Sequence, residues 1–188
     1  KKEDILCYRG NEEDVLDRFY KTAFLSRADV IVRITADDPF KDPEVIDYAI
    51  KQFLEGNYDY VSNTLKPTYP EGIDIEVFSK NALEKAWKEA KLNSEREHVT
   101  PFIWKNFDHF KILNFENEAD LSGIRLTVDK ENDLIVARRI FDHFEEEGDI
   151  FGFEKIVKFL KQTPDIIKIN GGTIRNEGYL KSLREESE

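Results

Sequence analysis

The chain has 188 residues, 40% of them hydrophobic and 12% aromatic, which excludes a disordered chain and favours one domain with a sizeable core. With 28 basic and 39 acidic residues the formal charge is −11, which argues against broad binding to nucleic-acid backbones but not against a small phosphorylated ligand held in a local basic pocket or through a divalent metal. A single cysteine, Cys7, excludes an intrachain disulfide, and no apolar run approaches the ~20 residues of a membrane span; with no signal peptide visible, a cytoplasmic location is expected.

Lys1-Lys2-Glu3-Asp4 runs directly into Ile5-Leu6-Cys7-Tyr8, which reads as a short buried strand with Cys7 as an inert core thiol. Arg9-Gly10-Asn11 is a turn, and Asn11 is placed to cap a helix that begins at Glu12 and carries Val15, Leu16, Phe19, Tyr20 and Ala23 at helical spacing. Ala28 to Ile34 is nearly continuous in apolar residues, as a central parallel strand would be, and Thr35 to Phe40 breaks it. Asp42-Pro43 starts the next helix and Gly56-Asn57 stops it. Tyr58 to Ser62 is a strand, Asn63 to Gly72 a loop, and Ile73 to Phe78 a strand of period two, with Asp74 and Glu76 on one side.

Ser79 precedes a helix containing Leu83, Ala86 and Trp87, and Ser94-Glu95-Arg96-Glu97 has the form of a capping box before a short helix with Val99, Phe102 and Ile103. Phe110 to Phe115 and Ile124 to Val128 read as strands. Asp129 then caps a helix through Phe144, and a last helix carries Phe153, Ile156, Val157 and Leu160. The expected organisation is a domain over residues 1–165 and a polar tail over 166–188. Alternating strands and helices predict an α/β fold, a mostly parallel sheet with helices on both faces, whose ligands sit beyond the carboxyl ends of the strands. That rule singles out Thr35 to Pro39, Ser62 to Gly72 and Asp129.

In Arg33-Ile34-Thr35-Ala36-Asp37-Asp38-Pro39 two carboxylates stand at the end of a strand, as nucleotidyl transfer requires when one or two carboxylates hold Mg²⁺ and phosphate oxygens complete its shell. The same residues fit equally a turn in which Asp37 caps and Asp38 precedes proline. Asp129 fits a helix cap, a metal ligand, or both. His98 falls on the polar side of its helix, and His109 and His143 read as surface residues.

These motifs together resemble the spore-coat polysaccharide cytidylyltransferases. The resemblance runs through Arg9-Gly10 and Glu13 to Phe19, Val32 to Pro39, Asp59 to Thr64, Tyr69 to Phe78, Ser94 to Phe102, Leu126 to Asp129 and Arg175 to Ser182. It spans nearly the whole chain in order, and that family is related to the enzymes that activate octulosonate and sialic acids. The resemblance implies a nucleotide-diphospho-sugar transferase-like fold, CTP as donor, Mg²⁺ as cofactor, and a sugar or sugar acid as acceptor, with a homodimer among the possible assemblies. It maps the metal carboxylates onto Asp37 and Asp129, and Arg33 joins them as an oxyanion contact. His98, Glu76, Asp74, Asn63 and Arg96 fall on the substrate side, and Arg9, Asp14 and Arg18 on the nucleotide side. Ala36 stands where the family usually has Gly. The family's Arg/Gly/Ser-rich phosphate loop is not in the sequence, so the resemblance further implies a domain without its first strands and inactive as written. The alternatives are a metal-dependent glycosyltransferase using a nucleotide sugar and a non-catalytic module that binds a partner.

Overall fold

The computed structural model of the chain describes residues 6–145 and 151–187. Its elements in order are α1 (Val15–Ser26), β1 (Val30–Arg33), α2 (Pro43–Gly56), β2 (Tyr60–Ser62), β3 (Glu76–Ser79), α3 (Lys80–Glu89), α4 (Asn93–His98), α5 (Pro101–Lys105), β4 (Ile112–Asn114), α6 (Glu131–Phe144), α7 (Phe153–Gln162), α8 (Pro164–Asn170) and α9 (Glu177–Glu185). No described helix is long and apolar enough to cross a membrane.

The four described strands form one sheet in the order β1-β3-β2-β4. β1, β2 and β4 run in one direction, but β3 lies between β1 and β2 and runs against both. The expected mostly parallel sheet is therefore mixed, with two antiparallel pairs and one parallel pair. The cause is the connection from β2 to β3, which contains no helix to carry the chain back for a parallel return.

Cross-strand register sorts the side chains into two layers. Ile31, Phe78, Tyr60 and Ile112 align across the sheet and pack against α1, α3 and α5. Val32, Val77, Val61 and Leu113 align one position over and face α2, α6 and α7. Period two in the strands thus produces helices on both faces, as expected.

Capping explains several helix starts. Asp42 accepts from Glu44 N at 2.8 Å with Pro43 at the first position, and Asn57 closes α2 in the left-handed conformation. The other Asp42 oxygen accepts from Phe153 N at 2.9 Å, which ties the start of α7 to the start of α2. α1 is capped by Asp14, not by Asn11, whose side chain only closes the preceding turn onto Glu13 N. α4 starts at Asn93 because Glu95 accepts from the backbone N–H groups of Lys91 and Leu92, while Ser94 bonds Glu186 instead of capping.

Two further expectations are corrected. The described part of Ile5–Tyr8 is not a strand; Lys1 to Ile5 lie outside the described residues, Leu6 is 95% exposed and Cys7 is exposed, because no described strand pairs with this segment. Ile124–Val128 makes only a single bridge, between Arg125 and Glu71, because its backbone divides between two loops: Leu126 N donates to Glu71 O and Val128 N to Asp37 O. The polar tail expected from 166 onward contains helices. It contains the end of α8, packed on α6 and α7, and α9, packed on α4.

Gly72 is where the β2–β3 connection meets the 124–128 segment. Its φ is +100°, and a Cβ there would lie 2.7 Å from the backbone of Leu126 and Thr127. Gly72→Ala is expected to destabilise the protein by roughly 1–3 kcal/mol, from strain plus a backbone clash. An unchanged urea midpoint for this variant would contradict the tight backbone approach.

Candidate active site

Arg33, Glu76 and Ser62 share one register row, so the carboxyl ends of β1 and β2 and the amino end of β3 lie at the same sheet edge. A cleft of about 1000 Å³ opens at that edge. Asp37, Asp129, Arg33, Asp74, Glu76 and His98 all line it. The remaining candidates lie elsewhere. Asn63 is buried and clamps its own loop, donating to Ile73 O and accepting from Ile75 N, both at 2.9 Å. Arg96 and Asp14 form an ion pair at 2.6 Å that ties α4 to the cap of α1. Among the described residues the Arg18 side chain hydrogen-bonds only Glu12 O, at 3.3 Å, and Arg9 is exposed away from the cleft lining.

The two adjacent aspartates have separate tasks. Asp38 accepts from Thr35 Oγ1 at 2.6 Å and pairs with Lys41 at 2.8 Å, closing the turn. Burial pushes its carboxyl up, but Lys41 and Thr35 outweigh this and hold it below the ordinary value. Asp37 is exposed, and its carboxylate makes no hydrogen bond or ion pair among the described residues. Its backbone carbonyl accepts from Val128 N at 2.9 Å, which brings the Asp37 and Asp129 segments side by side.

Asp129 is not the cap of α6. Asp133 performs that task, accepting from Asp129 N at 3.1 Å and Lys130 N at 3.0 Å. Asp129 keeps its side chain 48% exposed and places one oxygen 2.5 Å from Arg125 Nη2. Arg125 also pairs with Glu71 at 2.7 Å and Asp133 at 2.9 Å. Asn170 adds bonds to Arg125 O and Asp133 Oδ1, so α8 and α6 are tied to the cleft floor. Burial opposes the Arg125 charge, but these carboxylates hold its pKa above the ordinary value.

Glu76 is buried, and its oxygens are occupied by protein donors. Arg33 Nη1 lies 2.6 Å from Oε2, while Tyr60 Oη donates to Oε1 at 2.6 Å and Thr100 Oγ1 at 2.5 Å. This carboxylate fixes Arg33 at the cleft wall. Asp74 is likewise held, by Arg175; burial raises its pKa against the pull of Arg175 and Lys41.

Thr100 and His98 flank Val99, whose φ of 72° and ψ of −54°, with a Thr100 N to His98 O bond of 2.9 Å, make a γ-turn of the strained kind. Such a conformation at a buried β-branched residue costs about 1–3 kcal/mol and directs its two neighbours into one cleft. His98 Nε2 lies 3.0 Å from Ser182 Oγ of α9, and its ring meets Tyr179 edge-on. At the other end of α9, Arg175 pairs with Asp74, Asn176 N donates to Glu71, and Lys130 pairs with Glu177 at 2.5 Å. α9 therefore spans the cleft with polar ties at both ends.

Burial lowers the His98 pKa from 6.5 and Arg33 acts in the same sense, while Glu97, Glu76 and Glu186 oppose. The unfolded chain therefore takes up this proton first as pH falls. The contribution of neutral His98 is intact above the ordinary histidine value of about 6.5 and is lost progressively below it. Faster amide exchange in α9 at about pH 5.5 than at about pH 7.5, after correction for intrinsic rates, is expected, with the difference reduced in His98→Gln. Identical pH dependence in both proteins would contradict this.

Sequence reasoning missed Arg125, Glu71, Asp133, Thr100 and the α9 contacts. A lone arginine inside the apolar run Ile124–Val128 was the available signal, because arginine is buried only with carboxylate partners. For α9 the signal was the matched stretch Arg175–Ser182.

The chain is similar to known proteins over most of its length. The family model described as Cytidylyltransferase matches residues 3–182. An uncharacterized protein of Methanocaldococcus jannaschii is 41% identical over 174 residues, covering 92% of this chain and 69% of that protein. The spore coat polysaccharide biosynthesis protein SpsF of Bacillus subtilis is 30% identical over 169 residues, covering 87% of this chain and 68% of SpsF. The solved structure of a cytidylyltransferase from Leptospira borgpetersenii superposes with a TM-score of 0.83 at 31% identity, over 89% of this chain and 70% of that one.

Proposed function

Since the chain belongs to the cytidylyltransferase family, and so to the nucleotidyltransferases, we propose that it transfers CMP from CTP to a hydroxyl of a sugar or sugar acid, with release of pyrophosphate, in the synthesis of surface polysaccharide or related glycan precursors. The observation that carries this reading is the open Asp37 carboxylate beside the Asp129 segment at the sheet edge, in a cleft large enough for a nucleotide and a sugar.

In the reaction proposed, the acceptor oxygen attacks the α-phosphorus in line with the bond to the β-phosphate. That bond breaks, pyrophosphate leaves, and the hydroxyl proton passes to solvent. Asp37 and half-exposed Asp129 fit a Mg²⁺ ion, which takes one or two carboxylates and completes its octahedron with phosphate oxygens and water. When bound there, Mg²⁺ supplies charge neutralisation on the phosphoryl oxygens. Arg125 orients Asp129, and Glu76, Tyr60 and Thr100 together orient Arg33. His98 also lines the cleft, and in this reading it serves the sugar.

The test is a nucleotide panel. The full-length protein with Mg²⁺ and a set of sugars and sugar acids should release pyrophosphate with CTP and much more slowly with ATP, GTP or UTP. Consumption of a nucleotide sugar without pyrophosphate release would replace this reading with glycosyl transfer.

A further inference from the structure

A cleft that takes a triphosphate needs unneutralised positive charge, yet among the described residues nearly every cation around this one is already matched. Arg33 is held by Glu76, Lys41 by Asp38, Arg175 by Asp74, Lys130 by Glu177, and Arg125 by Glu71, Asp129 and Asp133. Two cleft-lining cations differ, and both belong to α9. The Arg184 side chain makes no hydrogen bond or ion pair among the described residues, and its charge acts only at longer range on Glu177, whose carboxylate is already paired with Lys130. Among the described residues Lys181 has only Glu185, at 3.7 Å, and its own side chain is 76% exposed, so water screens the contact.

Their placement is ordered. Glu177, Lys181 and Arg184 recur at helical spacing along α9, and all three line the cleft, together with the residues of the helix's first turn. Ser182, on another side, is buried against α4, where it bonds His98 and Glu97. The ties at both ends of α9 fix which face looks inward. A planar guanidinium and an ammonium one turn apart suit an oxyanion with several oxygens.

We propose that α9 supplies an anion-binding contact of the cleft, with Arg184 and Lys181 gripping an oxyanion of the bound substrate. This rests on the nucleotidyl-transfer reading for the identity of the substrate, and two sources fit the chemistry: the phosphates of CTP and a carboxylate on the acceptor sugar.

The experiment uses Arg184→Ala/Lys181→Ala in the full-length protein. Both side chains are exposed, so the thermal midpoint should match wild type. Calorimetric titration with CTP plus Mg²⁺ and with inorganic pyrophosphate reads the first source. The acceptor KM, for carboxylated against uncharged sugars, reads the second. A loss of roughly tenfold or more in CTP and pyrophosphate affinity assigns the contact to phosphate. Unchanged CTP affinity with a similarly raised KM for carboxylated sugars alone assigns it to the acceptor. Arg184→Lys should retain more of the lost affinity than Arg184→Gln. No change in either measurement overturns the proposal. A wild-type protein that binds pyrophosphate, and loses it in the double variant, but does not bind CTP overturns the cytidylyl reading and leaves the anion contact standing.

Discussion

Asp37→Asn should lower turnover by roughly 10²–10³-fold while leaving the fold unchanged. The substitution keeps the volume of the side chain and removes its charge. Asp37 is exposed, its carboxylate has no protein partner among the described residues, and the contact that joins it to the 124–128 segment uses its backbone carbonyl. Stability should therefore move by no more than about 0.5 kcal/mol, as for most surface substitutions. A carboxylate that helps hold the charge-neutralising ion is a preorganised electrostatic group, and losing one such group costs roughly 10²–10³ in kcat. Asp38→Asn should show the opposite pattern. Asp38 closes the turn through Thr35 and Lys41, so its loss should lower the melting temperature first. Full activity in Asp37→Asn, or unfolding of that variant, would contradict the division of labour between the two aspartates.

Arg125→Met should be the most destabilising single substitution at the cleft. It leaves Glu71 at 8% exposure and Asp133 at 2% without their shared counter-charge. Breaking a buried ion pair from one side costs about 3–5 kcal/mol, more than the pair itself contributes, because the remaining charge stays desolvated. The damage should also spread. Asp133 caps α6 through two backbone N–H groups, and Asn170 links the same carboxylate to α8. The cooperative transition in urea should therefore shift as a whole. A loss under about 1 kcal/mol, the range of a surface pair, would show that the network is solvated and adds little.

Much of this was legible in the sequence where local chemistry decides structure. Asp42-Pro43 and Gly56-Asn57 bound α2 as expected, because capping and proline geometry act within one turn. Alternation in the strands placed the core, and the strand-end rule pointed to Asp37 beyond β1; Asp129 lines the same cleft although the segment before it is not a strand. The direction of β3 was not legible, because period two is the same read in either direction and only the connection decides polarity. The capping side chain of α6 was misassigned, since Asp129 and Asp133 are both capping types and Arg125, four and eight residues before them, pairs with both, a choice that spacing alone does not rank. α9 was read as polar tail because a helix over an aqueous cleft buries little apolar surface, and periodicity of hydrophobic residues detects only the buried kind.

Label transfer tests the proposed reaction most directly. The full-length protein would be incubated with Mg²⁺, a panel of sugars and sugar acids, and CTP labelled either at its α-phosphorus or at its γ-phosphorus. The α-label should appear on a sugar and the γ-label in pyrophosphate, in equal amounts, with both signals lowered roughly 10²–10³-fold in Asp37→Asn. Release of the γ-label as free phosphate while the α-label stays in a nucleoside diphosphate would contradict the proposal, because the bond broken would then lie between the β- and γ-phosphates.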